Sequence, residues 1–108
     1  MKPLIVRPEV AADLDCYWLH IARANVRAAD DFLAAARLAE QRIAQLPALG
    51  RLRRWRDRRL AGIRSRPLAR PFSAWLVFYR ETSAAVEILR VLHGMMELER
   101  GLSEPPET

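Results

Sequence analysis

Two arginines, Arg80 and Arg90, stand inside otherwise apolar runs, and His93 follows the second of them by three positions. An imidazole titrates near neutrality and can pass protons to and from a reacting group. Guanidinium groups, for their part, stabilise charge that develops at phosphorus. Arg64, Arg80, Arg90 and His93 are therefore the residues whose types could do acid–base or anion-binding chemistry. The same residues also have structural readings. A histidine that ends a strand beside Gly94 holds a turn by hydrogen bonding, and arginines among apolar neighbours need anions or solvent, because a buried unpaired charge is costly. In a regular hairpin Arg80 and Arg90 can approach each other on one face of a sheet. Glu87 is a candidate counter-ion for one of them, and an acidic partner is the other source of negative charge.

A second concentration of cations lies upstream. Residues 51–70 hold nine of the 18 cationic residues, all arginine, against one acid, Asp57. Elsewhere nine basic residues face twelve acidic ones, so the net charge of +5 is a local patch. Such a patch suits nucleic acid or an acidic protein segment. Arg54, Trp55 and Arg58 carry both the charge and the aromatic surface that such partners use. A solvated loop with Trp55 tucked onto the core is the competing reading. The single cysteine, Cys16, has no partner for a disulfide and no metal-ligand spacing around it, and His20 reads as a surface residue of the same helix. No Gly-rich phosphate loop, metal-ligand cluster or Ser/His/Asp arrangement is visible, and no cofactor is implied.

The elements that must position these residues follow from periodicity. A chain of 108 residues, about half apolar, suffices for one core and is too short for two domains of usual size. No apolar run approaches the roughly 20 residues needed to span a bilayer, and the N-terminus lacks the stretch of a signal peptide, so a cytoplasmic location is expected. Leu4–Val6 is β-prone, and Pro8-Glu9 opens a helix whose apolar stripe is Val10, Leu14, Tyr17, Trp18 and Ile21. Asn25 punctuates. A second helix carries Ala29, Phe32, Ala36, Ala39, Ile43 and Leu46 in steps of three and four, and ends at Pro47. The period then changes to two, giving a short strand over 63–67 and longer ones over 72–80 and 85–93 joined at 81–83. Residues 95–102 are expected to form a terminal helix and 103–108 a frayed tail. The expected architecture is a single α+β domain, β-α-α-β-β-β-α, with a helical hairpin on one face of a twisted antiparallel sheet. The opposite face is left polar or kept for a partner.

This order, together with three stretches, resembles the ParE/RelE superfamily of type II toxin–antitoxin toxins over nearly the whole chain. The stretches are Ala12-Asp13-Leu14 followed by Ile21-Ala22 and Asn25; Leu46-Pro47 with Gly50; and Val77–Arg80 followed by Val86–Gly94. The resemblance places a toxin domain over 1–102, with 103–108 as a flexible tail. Within the superfamily, RelE-like members are ribosome-dependent messenger-RNA endonucleases that use clustered Arg and Lys with a Tyr or His near the C-terminus, whereas ParE members poison DNA gyrase. Here no tyrosine follows the last strand, lysine is absent beyond Lys2, and Met95 and Met96 stand where the RelE pattern is basic. The ParE side of the resemblance is the better match. It implies a protein-binding toxin without catalytic residues, a ParD-like antitoxin as partner, gyrase as target, and contact with DNA only through the antitoxin. The residues it marks for antitoxin or target binding are Arg54, Trp55, Arg58, Arg64, Trp75, Arg80, Arg90, His93, Met95 and Met96. The RelE alternative assigns catalysis to Arg64, Arg80, Arg90 and His93, and a third reading is a toxin that has lost its target and only titrates antitoxin.

Overall fold

A computed structural model describes residues 2–94. Strand β1 (Leu4–Val6) leads directly into helix α1 (Pro8–Ala22), with Pro8 in the first turn, where its missing donor costs nothing. Asn25 caps helix α2 (Val26–Gln45), its side chain accepting from the Ala28 N–H at 3.0 Å. Ala29, Phe32, Ala36, Ala39 and Ile43 form the buried seam of α2. Leu46 does not belong to it: the backbone leaves helical geometry there (φ −134°), and the side chain is 61% exposed. A 3₁₀ turn (Pro47–Leu49) then feeds β2 (Arg51–Leu52), a strand within the stretch expected to be an arginine-rich connection. A second 3₁₀ turn (Arg58–Leu60) precedes β3 (Arg64–Pro67), and β4 (Trp75–Glu81) and β5 (Val86–His93) close the described chain. Residues 72–74, expected within the first long strand, form turns instead, with the Trp75 N–H donating to the Phe72 carbonyl. The expected helix over 95–102, with Met95 and Met96, lies outside the described residues.

The five strands lie in the order β1-β5-β4-β3-β2. All neighbours are antiparallel except β1, which runs parallel to β5, so the sheet is mixed where an antiparallel one was expected. β1 and β5 are the first and last strands and are joined through the helical hairpin and three intervening strands, so no tight turn forces them antiparallel. Leu89 is an extra residue in β5, since the pairing steps from Phe78↔Arg90 to Tyr79↔Ile88.

Both faces of the sheet are covered. The helical hairpin packs through Val10, Phe32, Ala36 and Ile43 onto Val77, Tyr79, Val86, Ile88 and Val91. On the far face Leu76, Phe78 and Leu89 pack with Leu60, Ile63 and Trp55 from the segment between β2 and β3. The arginine-rich segment is thus a lid over the second face, and its apolar members are what hold it there. Among the described residues no helix is long and apolar enough to cross a membrane.

Candidate interaction sites

Among the described residues, no strand lies beside the end of β5 beyond β1, and α1 runs along that edge instead. Asp13 accepts the Val91 N–H at 3.0 Å, and the Tyr17 hydroxyl accepts the His93 N–H at 3.0 Å. The spacing works because four residues of helix rise about 6 Å while two residues of strand rise about 6.6 Å. Asp13 also takes both arms of Arg90, Nε and Nη2 each at 2.8 Å, in a pair whose side chains are 10% and 27% exposed. That hydrogen bonding raises the Arg90 pKa further, so the guanidinium is permanently charged and permanently held. Burial pushes the Tyr17 phenol above its ordinary value, against the opposing effect of the bond from the His93 backbone. His93 itself is exposed, its ring 4.5 Å from that of Trp75. Trp75 in turn meets Tyr17, Phe32 and Phe72 edge-on, and its Nε1 is buried with no partner among the described residues.

A second node sits where α2 ends. The Tyr79 hydroxyl donates to the Pro47 carbonyl at 2.6 Å and accepts the Gly50 N–H at 2.7 Å, and Arg64 Nη1 donates to the Gly50 carbonyl at 2.9 Å. Burial again raises the phenol pKa. Residue 50 has to be glycine for space: a Cβ would lie 2.7 Å from Tyr79 Cε1.

On the far face, Trp55 donates from its indole to the Ile63 carbonyl at 3.3 Å, and its ring meets that of Phe78 edge-on. Arg80 Nη2 donates to the Arg59 carbonyl at 2.6 Å, while its Nε is buried without a partner among the described residues. Arg59 chelates Asp57, whose carboxylate also caps the turn at the Arg59 N–H. Arg53 donates to Ser65, and its pKa is lowered, mainly by burial and then by Arg51 beside it. Arg54 and Arg58 stay exposed.

The residues marked from sequence therefore fall into separate places. Arg80 and Arg90 do not meet, because Arg90 reaches round the β5 edge to Asp13 and Arg80 serves the lid. Glu87 stands opposite Arg80 in register, yet its ion pair is with Arg7, at 3.0 Å. Arg64, two strands from Arg90, is tied to the α2 exit. Trp55, Trp75, Arg64, Arg80 and Arg90 all have work inside the fold, and Arg54, Arg58 and His93 are the marked residues that face outward. Sequence reading missed Asp13 and Tyr17 as a positioning pair, although their spacing of four on α1 was the available signal. It also missed a recess of about 330 Å³ between α2 and the β3 end, with Leu38, Arg42, Arg66 and Arg70 at its walls. Leu38 is 45% exposed, which leaves apolar surface among these arginines, and Leu46, Leu49 and Leu52 are exposed by 40–61% along the α2 exit and β2.

Comparison with known proteins agrees with this architecture. A search of curated proteins finds no match. Among solved structures, one described as the chromosomal ParDE toxin–antitoxin system from P. aeruginosa superposes with a TM-score of 0.71 at 21% identity, covering 88% of this chain and 98% of that one, which establishes a shared fold. The family model for the ParE toxin of the type II toxin–antitoxin system parDE matches residues 4–98. With a match over nearly its whole length, from β1 to beyond β5, the chain belongs to the ParE toxin family.

Proposed function

We propose that this chain acts by binding and not by catalysis, arresting DNA gyrase during strand passage, and that a ParD-like antitoxin neutralises it by wrapping its surface. The dispersal of the nuclease inventory carries this reading. A phosphoryl-transfer site needs its cations and its proton donor converging on one reacting group. Here Arg90 is spent on Asp13, Arg64 on the Gly50 carbonyl and Arg80 on the Arg59 carbonyl, so that of the three arginines only Arg90 shares the β5 edge with His93. Membership of the ParE family supports the same choice, and the ParDE description of the P. aeruginosa structure supports an antitoxin partner. Exposed Leu38, in a recess with Arg42, Arg66 and Arg70, offers the antitoxin an apolar anchor and charge-steered association. Arg54, Arg58 and His93 remain candidates for the antitoxin or gyrase contact.

The test is a supercoiling and cleavage-complex assay with purified toxin, gyrase and plasmid, with and without antitoxin at moderate salt. Loss of supercoiling with trapped cleavage, both reversed by antitoxin, is the expected result. Unimpaired gyrase together with ribosome-dependent messenger cleavage that His93→Ala/Arg90→Ala abolishes would overturn it.

A further inference from the structure

Beyond gyrase and antitoxin, we infer that the lid over the far sheet face is a direct, sequence-independent contact surface for the phosphate backbone of duplex DNA. Residues 51–60 contain six arginines and one aspartate, so this segment alone equals the chain's net charge of +5. Its structural task is done by other groups. Trp55, Leu60 and the following Ile63 bury themselves against Leu76, Phe78 and Leu89, and Asp57 caps the 3₁₀ turn. Covering the sheet requires none of Arg51, Arg54, Arg56 and Arg58, which are exposed and have no acidic partner among the described residues. Crowding like charges destabilises a loop, and a bound polyanion reverses the sign of that contribution. Arg54 and Arg58 wall an open recess of about 620 Å³ whose floor includes Trp55 and Gly62.

Two features favour nucleic acid over an acidic peptide. Apart from Leu52, which is exposed on β2, the apolar side chains of the segment, which a peptide helix would use as anchors, pack against the core. The exposed cations are all arginine, whose planar fork matches phosphate oxygens in pairs. Trp55 is turned inward and bonded to the Ile63 carbonyl, so it provides no platform for unstacked bases, and a duplex fits better than a single strand. This contact needs no gyrase. It is measured on the toxin alone, and its failure leaves the proposed target untouched.

The experiment is an anisotropy titration of a labelled duplex of about 20 base pairs with the full chain, at about 50 and 200 mM salt. The variant Arg54→Gln/Arg56→Gln/Arg58→Gln removes three contacts. The control Arg23→Gln/Arg27→Gln/Arg37→Gln removes the same charge from exposed positions on the helical hairpin, one at the α1 C-cap and two on α2. At about 0.9 per phosphate contact, the lid variant should lose about 2.7 from the log–log salt slope, so that between those salt concentrations it weakens about 40-fold less than the parent. The control keeps the parental slope. Equal slopes in parent and lid variant, or an equal loss in the control, would overturn the inference. So would displacement of the DNA by poly-glutamate at matched charge, which would assign the lid to an acidic protein.

Discussion

Replacing Asp13 by alanine should be among the most damaging single changes on the surface of this domain. The carboxylate accepts three hydrogen bonds, two charge-assisted from Arg90 and one from the Val91 backbone. Removing it strips a partly buried guanidinium of two charge-assisted bonds and takes the acceptor from the Val91 N–H. Breaking a fully buried pair costs about 3–5 kcal/mol. Arg90 keeps 27% exposure, so water recovers part of this, and the loss should be about 2–4 kcal/mol. For a domain of this size that corresponds to roughly 10–20 °C in Tm, a large share of a total stability of about 5–15 kcal/mol. Asp13→Asn keeps one acceptor oxygen and should lose about half as much. Arg90→Met leaves the Asp13 contact to Val91 intact, so the double variant should be less destabilised than the two singles added, with a coupling of about 1–2 kcal/mol. Urea denaturation of the parent and the four variants gives all these numbers. A coupling indistinguishable from zero, or a loss under about 1 kcal/mol for Asp13→Ala, would refute the claim that the pair holds α1 to the sheet edge.

Other expectations concern the α2 exit and the solvent-facing histidine. Tyr79→Phe strands the Pro47 carbonyl and the Gly50 N–H and should cost about 1–3 kcal/mol by urea denaturation, whereas Gly50→Ala meets the ring itself and should cost at least as much. Both tyrosine phenols are raised in the folded protein, so the stability they favour is full below the unfolded value of about 10 and is lost as pH rises through the folded values. Thermal melts should therefore fall above about pH 10, and less steeply in Tyr79→Phe. His93→Ala removes an exposed ring in edge contact with Trp75, so stability should change by less than about 1 kcal/mol, and in a growth assay without antitoxin it should retain toxicity unless His93 contacts the target.

Local signals were readable where a single element settles them. The α2 seam appears in order from Ala29 to Ile43 because helix periodicity is a property of neighbouring residues. Leu46 was read as the next step of that seam, since the pattern continues in the letters while the backbone stops one residue earlier. What depends on distant pairing was not readable. The parallel partner of Leu4–Val6 lies about eighty positions away, and Asp13 meets Arg90 across 77. The two-residue strand Arg51–Leu52 shows no alternation long enough to register, and its arginines hid it. Trp55 was legible as a choice between core and partner, and the geometry of the indole decides for the core. The placement of the candidate catalytic residues was not readable either, because residue types reveal which groups exist, while convergence depends on which side of which strand each one leaves.

The match between helix and strand spacing along β5 also bears on how the molecule behaves when crowded. An open strand edge is a template onto which another chain can add, and the usual protections are brevity, charge or cover. Asp13 and Tyr17 fill two of the donor positions that an intruding strand would claim, with side chains that cannot themselves be extended into a ladder. β1, only three residues long, guards the remainder of that edge. Copies of this protein that meet at high concentration therefore find no continuous strand there to zip onto, and loss of the helix from that edge would expose an aggregation-prone surface before the rest of the core had opened.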